Sequence, residues 1–301
     1  MSKVKRIGFN FFRSVTQTED GRTLQLNLGN IFEHIRSQYQ QARDTGLTEY
    51  KRVYTYNGEP ARLSQISIDY NTQYYHLTFE RLNYSLPNKT TLHGDSAILD
   101  LENDEYIGHE ATVLYDPENH ILMIQRNRDS IGPSAIGAFI ESLITEAGIA
   151  TNFSIAMIND NTARTRAFRQ TAYRKITTKV VGTKANGLLE RLFDRNPGVA
   201  SIEISFNSQP VKTGEIDQNF SIQLLEEFVD DPDVEMLRIR ARENEESPVE
   251  PIDLISHKME ASKTVDLRND RQLNTTRVFE YMAELYDRDD GGYKNRILRM
   301  V

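Results

Sequence analysis

The chain has 301 residues, no cysteine and a formal net charge of −8. The lack of cysteine excludes disulfides, thiolate nucleophiles and cysteine-ligated zinc, and it fits a reducing compartment. No stretch approaches the roughly 20 apolar residues that span a bilayer, and the first ten residues lack the apolar core of a signal peptide. The sequence therefore predicts a cytoplasmic protein.

The N-terminal region is predicted to contain a strand, a helix and a strand meander. Residues 6–12 alternate apolar and polar side chains, which indicates a strand. Asn30 precedes an apolar pattern of helical spacing over 31–39, and Glu33 follows it at the distance of a capping box. Residues 49–80 contain runs of alternating side chains that are separated by turn residues, and this pattern predicts a meander of strands.

A hairpin followed by a helix is the clearest local signal. Two apolar runs, 111–115 and 121–125, flank a four-residue turn that has Pro117 at its second position, as a type I turn prefers. Ser134 is then predicted to cap a helix whose apolar residues over 136–144 fall on one face.

The C-terminal half alternates between strand and helix signals. We predict strands over 153–158, 176–181, 200–206 and 235–241, a basic helix or loop over 162–173, and helices over 188–193 and 274–286. The expected fold is α+β, with largely antiparallel sheets and packed helices in two subdomains. The first is 1–150, and the second, 151–301, carries the basic residues and the C-terminal helix.

Common catalytic motifs are missing from the sequence. It contains no phosphate-binding glycine loop, no HExxH pair and no Gly-x-Ser-x-Gly elbow. His93 with Asp95 and Asp100 is a conceivable metal site, although a polar loop explains these residues equally well. Glu203 with Lys212 is the nearest approach to a nuclease centre. We therefore predict no catalytic residue, metal ligand or cofactor, and a metal-dependent nuclease remains an alternative.

The distribution of charge is the strongest functional signal. The basic segment, residues 164–184, contains seven cations and no acid, whereas the acidic segment, residues 226–253, contains eleven acids and three arginines. We predict that DNA phosphates contact the seven cations and two arginines after the hairpin: Arg164, Arg166, Arg169, Arg174, Lys175, Lys179, Lys184, Arg126 and Arg128. Phe168 and Tyr173 lie among the cations, where bases of a single strand could stack. The alternative is a solvated face paired with the protein's own acids.

Several short segments together resemble the RexA phage-exclusion proteins of lambdoid phages. They are 7–13 (IGFNFFR), 24–27 (LQLN), 106–108 (YIG), 131–134 (IGPS), 174–180 (RKITTKV), 237–241 (LRIRA) and the helix at 275–286. The resemblance implies a two-part α+β protein that dimerises, binds DNA with little sequence preference and acts beside a membrane partner. The resemblance identifies no catalytic motif in this chain. KwaB-type defence proteins are a second family that the chain resembles.

These observations lead to one preferred function and two alternatives. We expect a homodimeric, sequence-nonspecific DNA-binding protein of phage exclusion or anti-phage defence, which binds duplex in preference to single-stranded DNA. The high acid content departs from the resemblance and favours a localised binding patch. The alternatives are a nuclease effector and a protein-interaction module, one version of which is a homo-oligomer that pairs the basic segment with the acidic segment.

Overall fold

A computed structural model describes residues 4–18, 20–84, 87–91, 93–102, 104–149, 152–193, 199–211, 214–229, 231, 233–266, 273–288 and 291–300. The chain divides into two compact units. The first comprises residues 1–157 and 263–296, and the second comprises 158–262 and 297–301. This division differs from the expected 1–150 and 151–301, because the C-terminal helix returns to the first unit.

The first unit contains a large antiparallel sheet. Its strands in chain order are β1 (Val4–Gln17), β2 (Thr23–Gln25), β3 (Val53–Tyr56), β4 (Glu59–Ile68), β5 (Tyr75–Asn83), β8 (Ile107–Asp116), β9 (Ile121–Arg126) and β10 (Asn152–Met157), while β6 (Asn88–Lys89) and β7 (Ala97–Ile98) pair separately. The spatial order is β10-β1-β9-β8-β5-β4-β3, with antiparallel neighbours throughout. Strand β2 also pairs with β1.

Two helices cover the core of this sheet. Helices α1 (Gly29–Asp44) and α2 (Pro133–Glu146) bury their apolar faces, among them Phe32 and Phe139, against the inward side chains of the strands. The central strands β5, β8 and β9 contain runs of consecutive buried residues, so side chains on both faces of the sheet are buried there. The predicted hairpin is confirmed as β8 and β9, and the predicted helix is confirmed as α2.

The two predicted helix caps are wrong by a few residues. Helix α1 begins at Gly29, whose N–H donates to the Asn27 side chain at 2.7 Å, so Asn30 lies inside the helix. Helix α2 has Gly132 as its N-cap, because Pro133 already occupies the first helical position that its fixed φ favours. Ser134 therefore lies within the first turn.

The second unit is built on a four-stranded antiparallel sheet. Its strands are β11 (Ala172–Val181), β12 (Ser201–Asn207), β13 (Val234–Arg242) and β14 (Glu250–Asp253), in the order β12-β11-β13-β14. Helices α3 (Ala163–Arg169), α4 (Gly182–Phe193) and α5 (Gln218–Phe228) belong to the same unit. The core between sheet and helices includes Ile176, Leu237, Leu225 and Phe228.

The chain ends with a strand and two helices. Strand β15 (Glu260–Asp266) pairs with β1, and α6 (Thr275–Asp287) and α7 (Tyr293–Leu298) follow. Helix α6 packs on the first unit, where the Phe279 ring stacks on His76 with centroids 4.6 Å apart. The mixture of antiparallel sheets and packed helices confirms the predicted α+β class. Among the described residues, no helix is both long and apolar enough to cross a membrane.

Candidate nucleic-acid interface

The sheet of the second unit has one apolar face and one polar face. Side chains alternate between the two faces along a strand. Every second residue of a strand, together with the residues paired with it on the neighbouring strands, therefore lies on the same face. Ile176 lies between Phe206 and Ile239 on the core side. The polar face, on the other side, consists of Lys175, Thr177, Lys179, Glu203, Ser205, Asn207, Arg238, Arg240 and Asp253.

Two cations stand opposite each other at one end of the polar face. Lys175 on β11 pairs in register with Arg240 on β13, and we call these residues the cationic pair. The next residues in the same row, Asn207 on β12 and Pro251 on β14, carry no charge. Side chains directly opposite in an antiparallel sheet lie about 5 Å apart at Cβ, and like charges there repel. An anion bound between them would relieve that repulsion.

Lys175 keeps its charge available. It is half-buried, and no carboxylate among the residues that the structure describes forms an ion pair with it. Arg240 is exposed. A long aliphatic stem lets a lysine rest on a sheet while its ammonium reaches solvent. The cationic pair therefore places a half-buried lysine and an exposed arginine at one end of the polar face.

The remaining cations of the polar face are neutralised within the chain. The Nζ of Lys179 lies 2.5 Å from a carboxylate oxygen of Glu235. The Nε of Arg238 donates to Asp253 at 2.7 Å. Burial raises the pKa of Asp253, but hydrogen bonds from Ser256 and Arg238 more than offset this and hold the pKa below its usual value. These two ion pairs involve two of the four cations of the polar face.

Two further cations of the basic segment hold the second unit together. Arg166 on α3 forms ion pairs with buried Asp160 and with Glu250, the latter at 2.7 Å. Arg174 donates to the backbone carbonyls of Val211, at 3.2 Å, and Gly214. Together with Lys179, these are three of the seven predicted binding cations. The acidic segment thus masks part of the basic segment, because Glu235 and Glu250 both belong to it.

The other predicted cations lie at separate places. Arg164 and Arg169 are exposed on α3, and no described carboxylate pairs with Arg169. The side chain of Lys184, in α4, falls outside the described part of the chain. Arg126 and Arg128 are exposed but belong to the first unit, whereas the basic segment belongs to the second. Arg240 was not among the predicted residues, because its partner strand cannot be read from local sequence.

The hypothesis that bases of a single strand stack on Phe168 and Tyr173 is wrong for Tyr173. Tyr173 is fully buried, and its hydroxyl donates to the Ala167 carbonyl at 2.8 Å. Burial raises its pKa to about 12. Phe168 packs against the same core. Tyr173 therefore offers no face to a base, whereas Phe168 remains partly exposed.

The candidate metal ligands do not converge. No three histidine, aspartate or glutamate residues cluster to hold a metal ion within the described ranges. His93, Asp95 and Asp100 are therefore not brought together as ligands. Glu203 stands opposite Lys179 on the polar face. Lys212, which was considered with Glu203, lies outside the described residues.

Comparison with known proteins identifies a family. The chain belongs to a family of unknown function, DUF6731, whose model matches residues 2–297. No curated protein matches the chain.

Proposed function

We propose that this member of the DUF6731 family binds the phosphate backbone of DNA, with little sequence preference, through the polar face of its second unit. The observation that supports the proposal is the cationic pair, in which Lys175 and Arg240 stand side by side in a row without acid. Exposed Arg164 and Arg169 on α3 would supply further phosphate contacts.

The chemistry of the face favours phosphate over bases. Base reading needs side chains that enter a groove or aromatic rings that stack, and of the two aromatics in the basic segment Tyr173 is buried and Phe168 is half-buried. Two hydroxyls of the face, those of Thr177 and Ser205, lie 3.0 Å apart and bond to each other. Contacts limited to phosphates carry no sequence information. Duplex DNA is the preferred form because it presents more phosphate charge per unit length than one strand.

The protein's own acids limit the affinity. The net charge of −8 repels a polyanion at long range, and three predicted cations already bind oxygens of the chain. Binding must therefore come from a localised patch at short range. An interaction of this kind weakens steeply with salt.

The biological setting in the proposal rests on the resemblance to RexA proteins. We place the protein in the cytoplasm, as a dimer that acts in phage exclusion or anti-phage defence, beside a membrane partner. The test is the plaquing efficiency of phages on cells that express the wild type or Lys175→Glu/Arg240→Glu. Equal plaquing on both strains and on cells without the protein would contradict the role in phage defence. It would not contradict DNA binding, which has its own test.

DNA binding is tested by fluorescence anisotropy with a short labelled duplex and a single strand of equal length. Lys175→Glu/Arg240→Glu should weaken duplex binding by about tenfold or more at low salt. The matched control, Arg22→Glu/Arg43→Glu, reverses two exposed arginines of the first unit and changes the net charge by the same amount. Equal losses in both variants would show that only total charge matters, and would contradict the proposal.

The same samples distinguish the two alternative functions. Cleavage of the duplex that requires Mg²⁺ or Mn²⁺ would point to a nuclease. No binding of either DNA at low salt, together with salt-sensitive binding of polyglutamate, would point to a module that recognises an acidic protein segment. Either result would replace the proposed function.

A further inference from the structure

Strand β12 forms an outer edge of the sheet in the second unit. It is seven residues long and pairs with β11 on one side. On its other side, no strand or backbone hydrogen bond reaches it from the described part of the chain. An unpaired edge carries a row of free donors and acceptors that can join another strand.

The backbone groups that point outward can be assigned. Ser208 N–H donates to the Arg174 carbonyl of β11 at 2.9 Å. Because these groups alternate in direction along an antiparallel strand, the even-numbered residues of β12 bond to β11. The N–H and C=O groups of Ser201, Glu203, Ser205 and Asn207 therefore point away from the sheet.

This edge lacks the usual features that prevent pairing. Natural edges are protected by proline, lysine, bulges or short length. Strand β12 has no proline or lysine, its register with β11 is unbroken over all seven residues, and Glu203 is its one charged residue. Its core-side residues are half-buried, and the Phe206 ring lies 5.4 Å from that of Phe220, which is 41% exposed.

We propose that β12 pairs antiparallel with β12 of a second copy of this chain, about a two-fold axis at Ile204. Ile204 is the midpoint of the strand, so all seven residues find partners. Glu203 then faces Ser205 of the other copy, Ser201 faces Asn207, and Ile202 faces Phe206. Such a C2 interface is isologous, and it joins the two sheets into one of eight strands.

The sequence of β12 is complementary to itself in this register. The outward-pointing residues pair with one another, which gives about eight new backbone hydrogen bonds. The core-side pairs are apolar throughout, and Glu203 meets a hydroxyl that can donate to it. A register centred on Glu203 would instead place two carboxylates directly opposite each other, which is destabilising. The charge pattern thus disfavours the centre at Glu203, and pairing of all seven residues favours the centre at Ile204.

The natural lack of cysteine makes a direct test available. In the proposed register, Ile204 meets its own symmetry mate at a non-hydrogen-bonded position, where Cα atoms are about 4.5 Å apart. That separation suits a disulfide. Ile204→Cys should therefore cross-link with itself under mild oxidation. The matched control is Ile202→Cys, on the same face, whose symmetry mate lies about 14 Å away.

The register predicts two cross-linking results. Ile204→Cys should form disulfide dimers at least about tenfold faster than Ile202→Cys, because only the first pair lies within bonding distance. A mixture of Ile202→Cys and Phe206→Cys should cross-link between the two variants. Equal rates for the two single variants, or no cross-linking of the mixture, would overturn the register.

Sedimentation of the unmodified chain tests the association itself. Wild type should be dimeric, and Ser205→Pro should be monomeric, because its nitrogen points outward and a proline there removes an edge donor without breaking the pairing with β11. Ser205→Ala, which loses only the hydroxyl bond to Thr177, should stay dimeric. A monomeric wild type, or a Ser205→Pro variant that still dimerises, would overturn the proposal.

Discussion

Replacing Tyr286 with phenylalanine tests how the C-terminal helix is fixed to the first unit. The Tyr286 hydroxyl donates to an Asp116 carboxylate oxygen at 2.8 Å, and both residues are fully buried. The same carboxylate accepts from the backbone N–H groups of Glu118 and Asn119, at 2.9 and 3.1 Å, in the hairpin turn. Burial, together with the Asp116 charge, raises the pKa of Tyr286 far above its usual range. The hydroxyl therefore stays protonated and keeps donating.

The expected loss follows from the charge on the acceptor. A hydrogen bond to a charged group contributes about 1.5–3 kcal/mol, and its removal leaves a buried carboxylate short of one donor. We expect Tyr286→Phe to lower the free energy of unfolding by that amount. The melting temperature should fall by about 3–12 °C, given 2–4 °C per kcal/mol for a unit of this size.

Urea unfolding followed by circular dichroism measures the effect. The control is Tyr84→Phe, because Tyr84 is 67% exposed and its hydroxyl lies 3.4 Å from that of Tyr106. The control should change stability by less than about 0.5 kcal/mol. If Tyr286→Phe cost no more than the control, the hydroxyl would not be a desolvated donor and the reasoning would fail.

Three further predictions concern buried groups. Burial lowers the pKa of His76 from 6.5 to about 4, so the unfolded chain alone gains a proton between those values. The free energy of unfolding should have its full value above pH 6.5 and should fall by about 3 kcal/mol as the pH drops to 4. Urea midpoints of His76→Phe should lack this dependence. The pKa of Asp253 is lower in the folded chain than its usual value of 3.8, so ionised Asp253 stabilises the fold above that pH. This stabilisation is lost as the pH falls through the folded pKa. Arg238→Gln removes a hydrogen bond that lowers the pKa, so the variant should unfold at a higher pH during acid titration. Gly137→Val should cost about 1–3 kcal/mol in thermal unfolding, since even a Cβ there would lie 3.2 Å from Ile155.

Local patterns in the sequence predict local structure well. The apolar runs on either side of the turn at Pro117 predict a hairpin, and β8 and β9 form it. The helical spacing over 136–144 predicts α2. Both signals depend on residues within a few positions of one another, so tertiary context does not alter them. Helix α5 was not predicted, although the N-cap Asp217 and the apolar residues Leu225 and Phe228 at helical spacing are signals that could have located it.

The partners of charged residues cannot be predicted in this way. Lys179 meets Glu235, and Arg166 meets Glu250, through strand register and helix placement across long stretches of chain. Composition shows only that acids are abundant enough to neutralise some cations. The cationic pair likewise depends on β11 and β13 lying side by side. Tyr173 lies among cations in sequence but faces the core, because the register of β11 with β13 shifts between Tyr173 and Lys175, an irregularity that local sequence does not reveal.

The salt dependence of DNA binding tests the central claim most directly. If half-buried Lys175 and exposed Arg164, Arg169 and Arg240 each neutralise a phosphate, the logarithm of the association constant should fall against the logarithm of salt concentration with a slope of about −3.6. Lys175→Gln/Arg240→Gln removes two contacts and should reduce the slope to about −1.8. An unchanged slope in this variant, or wild-type affinity that does not respond to salt, would contradict the account.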